Sequence, residues 1–412
     1  MRALTNTSLL APFQVRSFRF QYPADLLTSW GSEMENLILG WYILVTTGSV
    51  VLLTLFGSLQ YFGTLVAPMF GMVGDRLGQR IVMCAMRAFY TVLASILMVL
   101  AFTGVLRPLH VFVIAAVAGL VRPADLAMRA ALVAETMPTD RFVSAMGASR
   151  TTSDSARTVG SLAGAGLFAA LGLGPAYVFI TGFYLIGFAL TLGVGGVRHV
   201  AHSVRPSLWR DLRDGLEHLW DTPSSLAALW LAFLVNLTAF PMTSGLLPYV
   251  ARDVYHADQT GLGTLISSFA FGSLIGSILI SVIGRSIRPA RMMIVFALGW
   301  YAMLLVFVRT PDPISGAGVL ICAGLSQSLS LVPMSAMLLH GAGAYRGRVM
   351  GMRMLAIYGL PLGLLAAGAL IERIGFVATA TLYCVVGIML TLLIALRWRA
   401  ALWPLHAPAN AR

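Results

Sequence analysis

Long apolar runs broken by short polar turns set the rhythm of this chain. The first run covers Tyr22 to Val45 and turns at Thr46–Ser49; the second covers Val51 to Phe70; the third covers Ile81 to Phe102 and turns at Gly104–Leu109. Runs four to six cover His110–Val133, Phe142–Leu171 and Ala176–Val197, separated by the turn around Pro138 and by Gly172-Leu173-Gly174-Pro175. Six more follow at Ser225–Val250, Gly261–Ile283, Met292–Val308, Gly316–His340, Val349–Ile371 and Phe376–Ala395. A helix needs roughly 20 apolar residues to cross the hydrocarbon core. In lipid the backbone must satisfy its own hydrogen bonds, which leaves helices or a closed barrel. The runs lack the strict alternation of barrel strands. The pattern predicts an all-α integral membrane protein with twelve transmembrane helices in two pseudo-symmetric six-helix bundles. Residues 1–197 form the first bundle, 198–224 a cytoplasmic linker and 225–412 the second bundle.

The linker breaks the apolar rhythm. Leu208, Leu212, Leu216 and Leu219 recur at helical spacing among Arg205, Arg210, Asp211, Arg213, Asp214 and Glu217. This predicts an amphipathic helix, either lying on the membrane surface or joining the halves as a solvated strut. At the other end, the first 17 residues read as a loose cytoplasmic tail, with no apolar core or small-residue site of a cleavable signal.

Composition supports the same class. The chain is 58% hydrophobic and 11% charged, with a mean hydropathy of +0.84, whereas soluble domains are about 25% charged. All 28 basic residues are arginine, and the net charge is +12. Their placement gives that charge a membrane partner rather than a nucleic acid. The two tails and the loops after even-numbered spans hold 18 arginines, and the opposite loops hold 4. By the positive-inside rule both termini are cytoplasmic. The expected location is the plasma membrane, the inner membrane of a bacterium. Cys84, Cys322 and Cys384 fall inside spans as small packing residues, and no metal-ligand spacing occurs.

The halves also repeat in detail. Met146-Gly147 precedes Gly172 by 25 residues, counted from Gly147; Met350-Gly351 precedes Gly375 by 24. Gly284 to Arg291, after span eight, is a degenerate copy of Gly71 to Arg80, after span two, without the acid. Repeats between membrane halves point to a transporter with its substrate site at their interface.

Charge inside the membrane is costly and marks interiors or water-filled cavities. Arg87, Arg122, Arg129, Arg150, Arg157 and Arg353 fall within spans, with Glu33, Glu35, Asp125 and Asp154. In span one, Asp25, Ser29, Ser32, Asn36 and Gly40 form a polar stripe, and Glu33 and Glu35 project from its opposite shoulders, about 200° apart. Glu33 lies one turn from both Ser29 and Asn36, so it is the preferred buried acid. Rise arithmetic places Glu33, Arg122 and Asp154 at similar depth, each roughly 17–18 Å in. Arg157 shares the face of Asp154. Glu33, Asp154, Arg122 and Arg157 are therefore candidates for proton coupling, with a structural ion-pair network as the alternative. Ser29, Asn36, Asn236, Gln327 and Tyr358 are candidates to line the substrate cavity, although a polar residue of this kind is more often an interhelical hydrogen bond than a substrate contact. Pro241, Pro333 and Pro361 mark expected flexible points.

Gly71-Met72-Val73-Gly74-Asp75-Arg76-Leu77-Gly78-Gln79-Arg80 reads as a short cytoplasmic hinge between two spans. It resembles the signature between spans two and three of the major facilitator superfamily, and with the twelve-span layout the resemblance covers nearly the whole chain. Ser29 to Met34 and Ala156 to Gly164 resemble the branch of macrolide-efflux and enterobactin-export proteins; Ser161 stands where the antiporter motif usually has proline. The resemblance implies alternating access by two rocking bundles and export of a small amphipathic compound, drug-like or siderophore-like, in exchange for protons. It also implies a conformational latch of Gly71, Gly74, Asp75, Arg76, Gly78 and Arg80, with Asp75 against the start of span eleven, where Arg346 and Arg348 stand. The expected energy source is the proton gradient with no cofactor, and the expected state is a monomer in the lipid bilayer. An importer of a sugar, organic acid or other nutrient is the alternative within transport. A membrane scaffold or sensor is the alternative outside it. No nucleophile–base pair, metal cluster or phosphate-cradling loop suggests an enzyme.

Overall fold

The computed structural model describes residues 11–65, 67–138, 141–195, 220, 222–283, 288–339 and 352–403. All regular structure among them is helical. The first passage, α1, spans Arg16–Thr47 and closes on Gly48, whose positive φ of 65° lets its N–H bond the Leu44 carbonyl at 2.9 Å. Ser49 then caps the next helix, accepting from the Leu52 N–H at 3.3 Å.

The second passage is interrupted: α2 is Val50–Leu59, a 3-10 turn covers Phe62–Leu65, and α3 is Ala67–Leu77. Then follow α4 (Gln79–Phe102), α5 (Pro108–Thr136), α6 (Phe142–Ser155), α7 (Ser161–Leu171) and α8 (Leu173–Leu192). A single π turn at Ala156–Gly160 joins α6 to α7, with the Ser161 N–H bonded to the Ala156 carbonyl. The later part holds α9 (Pro223–Thr238), π turns at Pro241–Gly245 and Val250–Val254, α10 (Gln259–Ile283), α11 (Pro289–Phe307), α12 (Pro313–Leu339), α13 (Gly359–Ile374) and α14 (Phe376–Arg397). Among the described residues, eight helical stretches are long and apolar enough to cross a membrane. The polar α1 and the three broken passages, Val50 to Leu77, Phe142 to Leu171 and Pro223 to Val254, are consistent with the four further passages expected. Pro241 opens the break of the seventh, whereas Pro333 lies inside the continuous α12.

The described residues form two compact units: Met1–Val204 with His256–Ser267, and Arg205–Tyr255 with Ser268–Arg412. In the first, α1 packs on α7 and α8, α4 packs on α8, and α4 packs on α5. In the second, α9 packs on α13 and α14, α11 on α14, and α11 on α12. Counted as passages, these are the same neighbours in each half. The backbone repeats as well. Gly172 and Gly375 have φ of 80° and 81°, each ending one helix and starting the next, with N–H bonds to Phe168 and Ile371 at 3.0 and 2.9 Å. A side chain is strained at that φ, so glycine is the residue that permits the turn.

A second repeat is a pair of close helix approaches. A Cβ at Gly160 would meet the Trp30 backbone at 3.4 Å, and one at Gly164 would meet Met34 at 2.9 Å. A Cβ at Gly359 would lie 2.6 Å from the Phe233 carbonyl oxygen, and one at Gly363 only 2.0 Å from that of Leu237. Glycines four apart in passages five and eleven thus bring those helices against passages one and seven. The outward faces are apolar, as in Val92, Ile96, Val99 and Phe102 of α4 and Met389, Leu393 and Leu396 of α14. That suits hydrocarbon contact.

Residues 11–17 depart from the expected loose tail, whose first ten residues lie outside the described ones. Ala11–Gln14 forms a turn, Phe13 packs edge-on to Phe18 and Tyr22, and Phe18 is buried with Val133, Met137 and Ala145. These aromatic residues bury surface that a solvated tail would expose. The amphipathic linker helix, the Gly284 copy of the motif through residue 287, and Arg346 and Arg348 lie outside the described residues.

Candidate functional site

The polar face of α1 organises the interior of the first unit. Glu35 is buried, and its Oε2 accepts from the Arg122 guanidinium of α5 and from the Tyr184 hydroxyl of α8, both at 2.9 Å. Arg122 also donates to Asn36 Oδ1 and, at 3.0 Å, to Gln60 Oε1. Tyr184 reaches Glu35 because Gly31, one turn earlier on α1, leaves room for its ring: a Cβ there would meet the ring at 3.1 Å. Glu35, Asn36, Gln60 and Arg122 line a small cleft closed by Leu39, Phe56 and Ile114.

A second cluster lies in the first half of α1, around Asp25. Asp25 pairs with Arg87 of α4, and the two side chains are 1% and 0% exposed. Arg87 also donates to Thr191 of α8. Arg129 of α5 pairs with Asp125 one turn away, lies 3.7 Å from Asp25, and donates to Ser29 Oγ at 2.5 Å. Gln21 donates to the Arg129 carbonyl at 3.0 Å. Two carboxylates and two guanidinium groups balance in charge. Such pairing is what makes buried charge tolerable.

This geometry corrects the preference for Glu33. The polar stripe through Asp25, Ser29 and Asn36 does face the network, but of its two shoulders Glu35 turns toward α5 and α8. Glu33 is half-buried on the other shoulder, where a Cβ on Gly160 would come within 3.7 Å of its own Cβ, and it forms no ion pair among the described residues. Arg122 is in the network. Asp154 is half-buried on α6, and Arg157 is exposed in the π turn. The Arg150 side chain lies outside the described ones. Asp25, Arg87 and Tyr184 carry contacts that sequence reasoning left unassigned. The available signals were Arg87 as the one charged residue within the third run and Asp25 on the stripe of Ser29.

The cavity candidates divide. Asn36 borders the cleft. Ser29 is buried and held by Arg129, so in this conformation it lines no open space. In the second unit Gln327 is likewise buried, accepting from Ser273 at 2.7 Å, while Asn236 donates to the Ala232 carbonyl of its own helix at 2.8 Å. Tyr358 is half-buried in the turn before α13. Ser277 with Ser328, at 2.7 Å, and Ser330 to the Met293 carbonyl, at 2.8 Å, join neighbouring helices.

The hinge expected over Gly71 to Arg80 contracts to one residue. Gly71 through Leu77 belong to α3, Gly78 turns with φ of 93°, and Gln79 begins α4. Gly74 is helical, and a Cβ there would lie 2.3 Å from the Gln79 side-chain oxygen, so the returning chain folds onto it. Arg80 donates to the Leu192 carbonyl at the end of α8, which satisfies a terminal carbonyl and complements the helix dipole. Arg76 is exposed, and the Asp75 side chain lies outside the described ones. Among the described residues no three His, Cys, Asp or Glu side chains are placed to hold a metal ion.

These features define a polytopic helical membrane protein with ionisable groups built into the interior of one unit. The chain belongs to the Major Facilitator Superfamily, a family of transporters, whose family model matches residues 23–361. No curated protein matches the sequence. Solved structures share the fold. The nucleoside transporter NupG is 14% identical, with a TM-score of 0.68, over 94% of this chain and 99% of its own. A bacterial homologue of the human lysosomal transporter Spinster is 12% identical, with a TM-score of 0.70, over 95% and 97%. The human organic anion transporter TETRAN is 15% identical, with a TM-score of 0.65, over 92% and 99%.

Proposed function

We propose that this chain is a secondary active transporter that works by alternating access and exports a small amphipathic compound in exchange for protons. The observation that carries the reading is the Glu35–Arg122 pair: a buried carboxylate held by a guanidinium and a tyrosine hydroxyl beside a small cleft. Intramembrane acids of this kind are expensive to keep and mark ion or proton pathways. Neutralising Glu35 by a proton weakens its hold on Arg122, and that pairing change can bias one conformation over the other. Glu33 keeps a place as a second acid on the other shoulder of α1. Asp75 acts as the latch between halves, the cargo being a drug-like or siderophore-like compound as in the efflux branch that Ser29–Met34 resembles. Both termini face the cytoplasm of a bacterial inner membrane. Among the solved structures that share the fold, one is a nucleoside transporter and one an organic anion transporter. Import of a nutrient is therefore the second reading.

The test is transport in vesicles under an imposed pH gradient, with a panel of amphipathic compounds and nutrients. Export that grows with the gradient supports the proposal. Transport indifferent to the gradient overturns proton coupling, and accumulation of a nutrient in place of export overturns the direction.

A further inference from the structure

Five buried polar atoms without a hydrogen bond to the protein sit around the Asp25 cluster. They are Gln21 Oε1, Asp25 Oδ2, Asp125 Oδ1, Arg87 Nε and Arg129 Nε. Their residues are between 0% and 9% exposed. They are joined through two residues. Arg129 touches Gln21, Asp25 and Asp125, and Asp25 binds Arg87. Each carboxylate uses one oxygen on arginine and leaves the other free: Asp25 holds Arg87 through Oδ1, and Asp125 holds Arg129 through Oδ2. Buried polar groups in folded proteins rarely go without a partner.

The signs of these atoms choose the ligand. Three accept and two donate. A cation would satisfy only the acceptors, beside two guanidinium groups; an anion would satisfy only the donors, beside two carboxylates. The cluster has no net charge to attract either. Small neutral molecules that both donate and accept serve both kinds of atom, and water is such a molecule; a buried water makes about three hydrogen bonds, so more than one water is needed for all five.

One more orphan points onward from this corner. The Tyr90 hydroxyl is buried and has no hydrogen-bond partner in the protein. Tyr90 lies three residues beyond Arg87 on α4, on the same face. Its ring lies 5.7 Å, centroid to centroid, from that of Tyr184, the residue that donates to Glu35. Tyr90 thus stands between the charged corner of Asp25, Arg87, Asp125 and Arg129 and the Glu35–Arg122 pair.

We infer that the corner of Gln21, Asp25 and Asp125 holds ordered water, and that this water together with the Tyr90 hydroxyl forms the inner part of a proton route from Glu35 toward the end of the unit where α1 begins. The route rests on the proton-coupling reading given above; the water site does not. A proton leaving the Glu35 carboxyl bonds to a water oxygen as its own O–H breaks. Each later water, and Tyr90, takes one proton and releases another. Glu35 is left as the carboxylate, and each water and the Tyr90 hydroxyl is neutral again once the proton has passed.

Two measurements test this separately. A structure of the wild-type protein at a resolution that shows solvent should hold at least one ordered water bonded to Asp25 Oδ2 or Asp125 Oδ1. A dry corner, with those oxygens paired to protein, overturns the site. Tyr90→Phe keeps the ring and removes the hydroxyl. It should slow gradient-driven transport several-fold while leaving substrate binding and thermal stability at wild-type levels. An unchanged rate overturns the route while Glu35 coupling stands. A wild-type protein with no response to the gradient overturns the coupling reading, and the solvent measurement still decides the water site.

Discussion

Glu35 and Arg122 meet at 2.9 Å inside the first unit, with side chains 9% and 20% exposed. Their roles separate from those of Glu33 by one substitution each. Glu35→Gln should abolish the response of transport to an imposed pH gradient, because the neutral amide mimics a permanently protonated acid. Glu33→Gln should retain most of that response. Proton-driven flux in vesicles measures both. A Glu35→Gln protein that still follows the gradient removes Glu35 from the coupling step.

Asp25 and Arg87 form the most deeply buried pair among the described residues. Removing one partner leaves the other charged in a low-dielectric interior, a loss of roughly 3–5 kcal/mol. Asp25→Ala and Arg87→Leu should each lower the melting temperature in detergent markedly. The double variant should lose less than the two single losses added together. Because Arg129 also leans on Asp25, Asp25→Ala should be the worse single change. Full additivity would show that the pair does not act as a unit.

The two glycine seams should differ in tolerance. At Gly164 a new Cβ meets Met34 at 2.9–3.0 Å, and part of that contact is a flexible side chain. At Gly363 it meets the Leu237 carbonyl oxygen at 2.0 Å, which moves only with the helix backbone. Overpacking costs about 1–3 kcal/mol. Gly363→Ala should sit at or above the top of that range and Gly164→Ala near the bottom. Melting temperatures of the two variants decide the order, and the reverse order would contradict the seam geometry.

Asp312 caps α12 from the turn that precedes it. Its Oδ1 accepts from the Ser315 and Ile314 N–H groups at 2.9 and 3.0 Å, and its Oδ2 accepts from the Ser315 hydroxyl at 2.8 Å. The bond from the Ser315 N–H, then that from its hydroxyl, hold the carboxyl below the usual aspartate value. A carboxyl lowered on folding stabilises the fold above the unfolded value, about 3.9, and that contribution fades as pH falls through the lowered value. Asp312→Ala should therefore melt below wild type at neutral pH, with the gap closing as the medium is acidified past the aspartate range. A gap that widens with acid would reverse the assignment.

The passages and their repeat were legible because hydrophobicity over about 20 residues dominates local structure in lipid. Gly172 and Gly375 were visible as punctuation, and they share one backbone conformation. The shoulder of α1 that faces α5 was not legible. Glu33 and Glu35 are symmetric about the stripe, and helix rotation is set by neighbours far away in the chain. Here the space over Gly31 admits Tyr184, which sits 149 residues from Glu35. The break at residues 60–65 was equally hidden, since Gln60-Tyr61-Phe62-Gly63 carries no proline and little polarity. Burial of Ser29 and Gln327 follows from which helix covers each of them, and a single strand of sequence does not state that.

Gly78 concentrates the turn of the Gly71–Arg80 motif into one residue. With φ of 93°, it holds α3 and α4 at a fixed angle while Arg80 is bound to the end of α8. Gly78→Ala places a Cβ at a φ of 93° that side chains rarely adopt, a strain of about 1–3 kcal/mol, and should weaken the α3–α4 corner. Asp75→Asn removes only a charge one turn before that corner. If Asp75 latches the halves, Asp75→Asn should shift the ratio of outward-open to inward-open protein, read by labelling of single cysteines placed on each side, and should leave substrate affinity within about twofold, a difference of under 0.5 kcal/mol. Gly78→Ala should shift the same ratio and lower the melting temperature as well. An Asp75→Asn protein that loses binding with its conformational ratio unchanged places Asp75 at the cargo rather than at the latch.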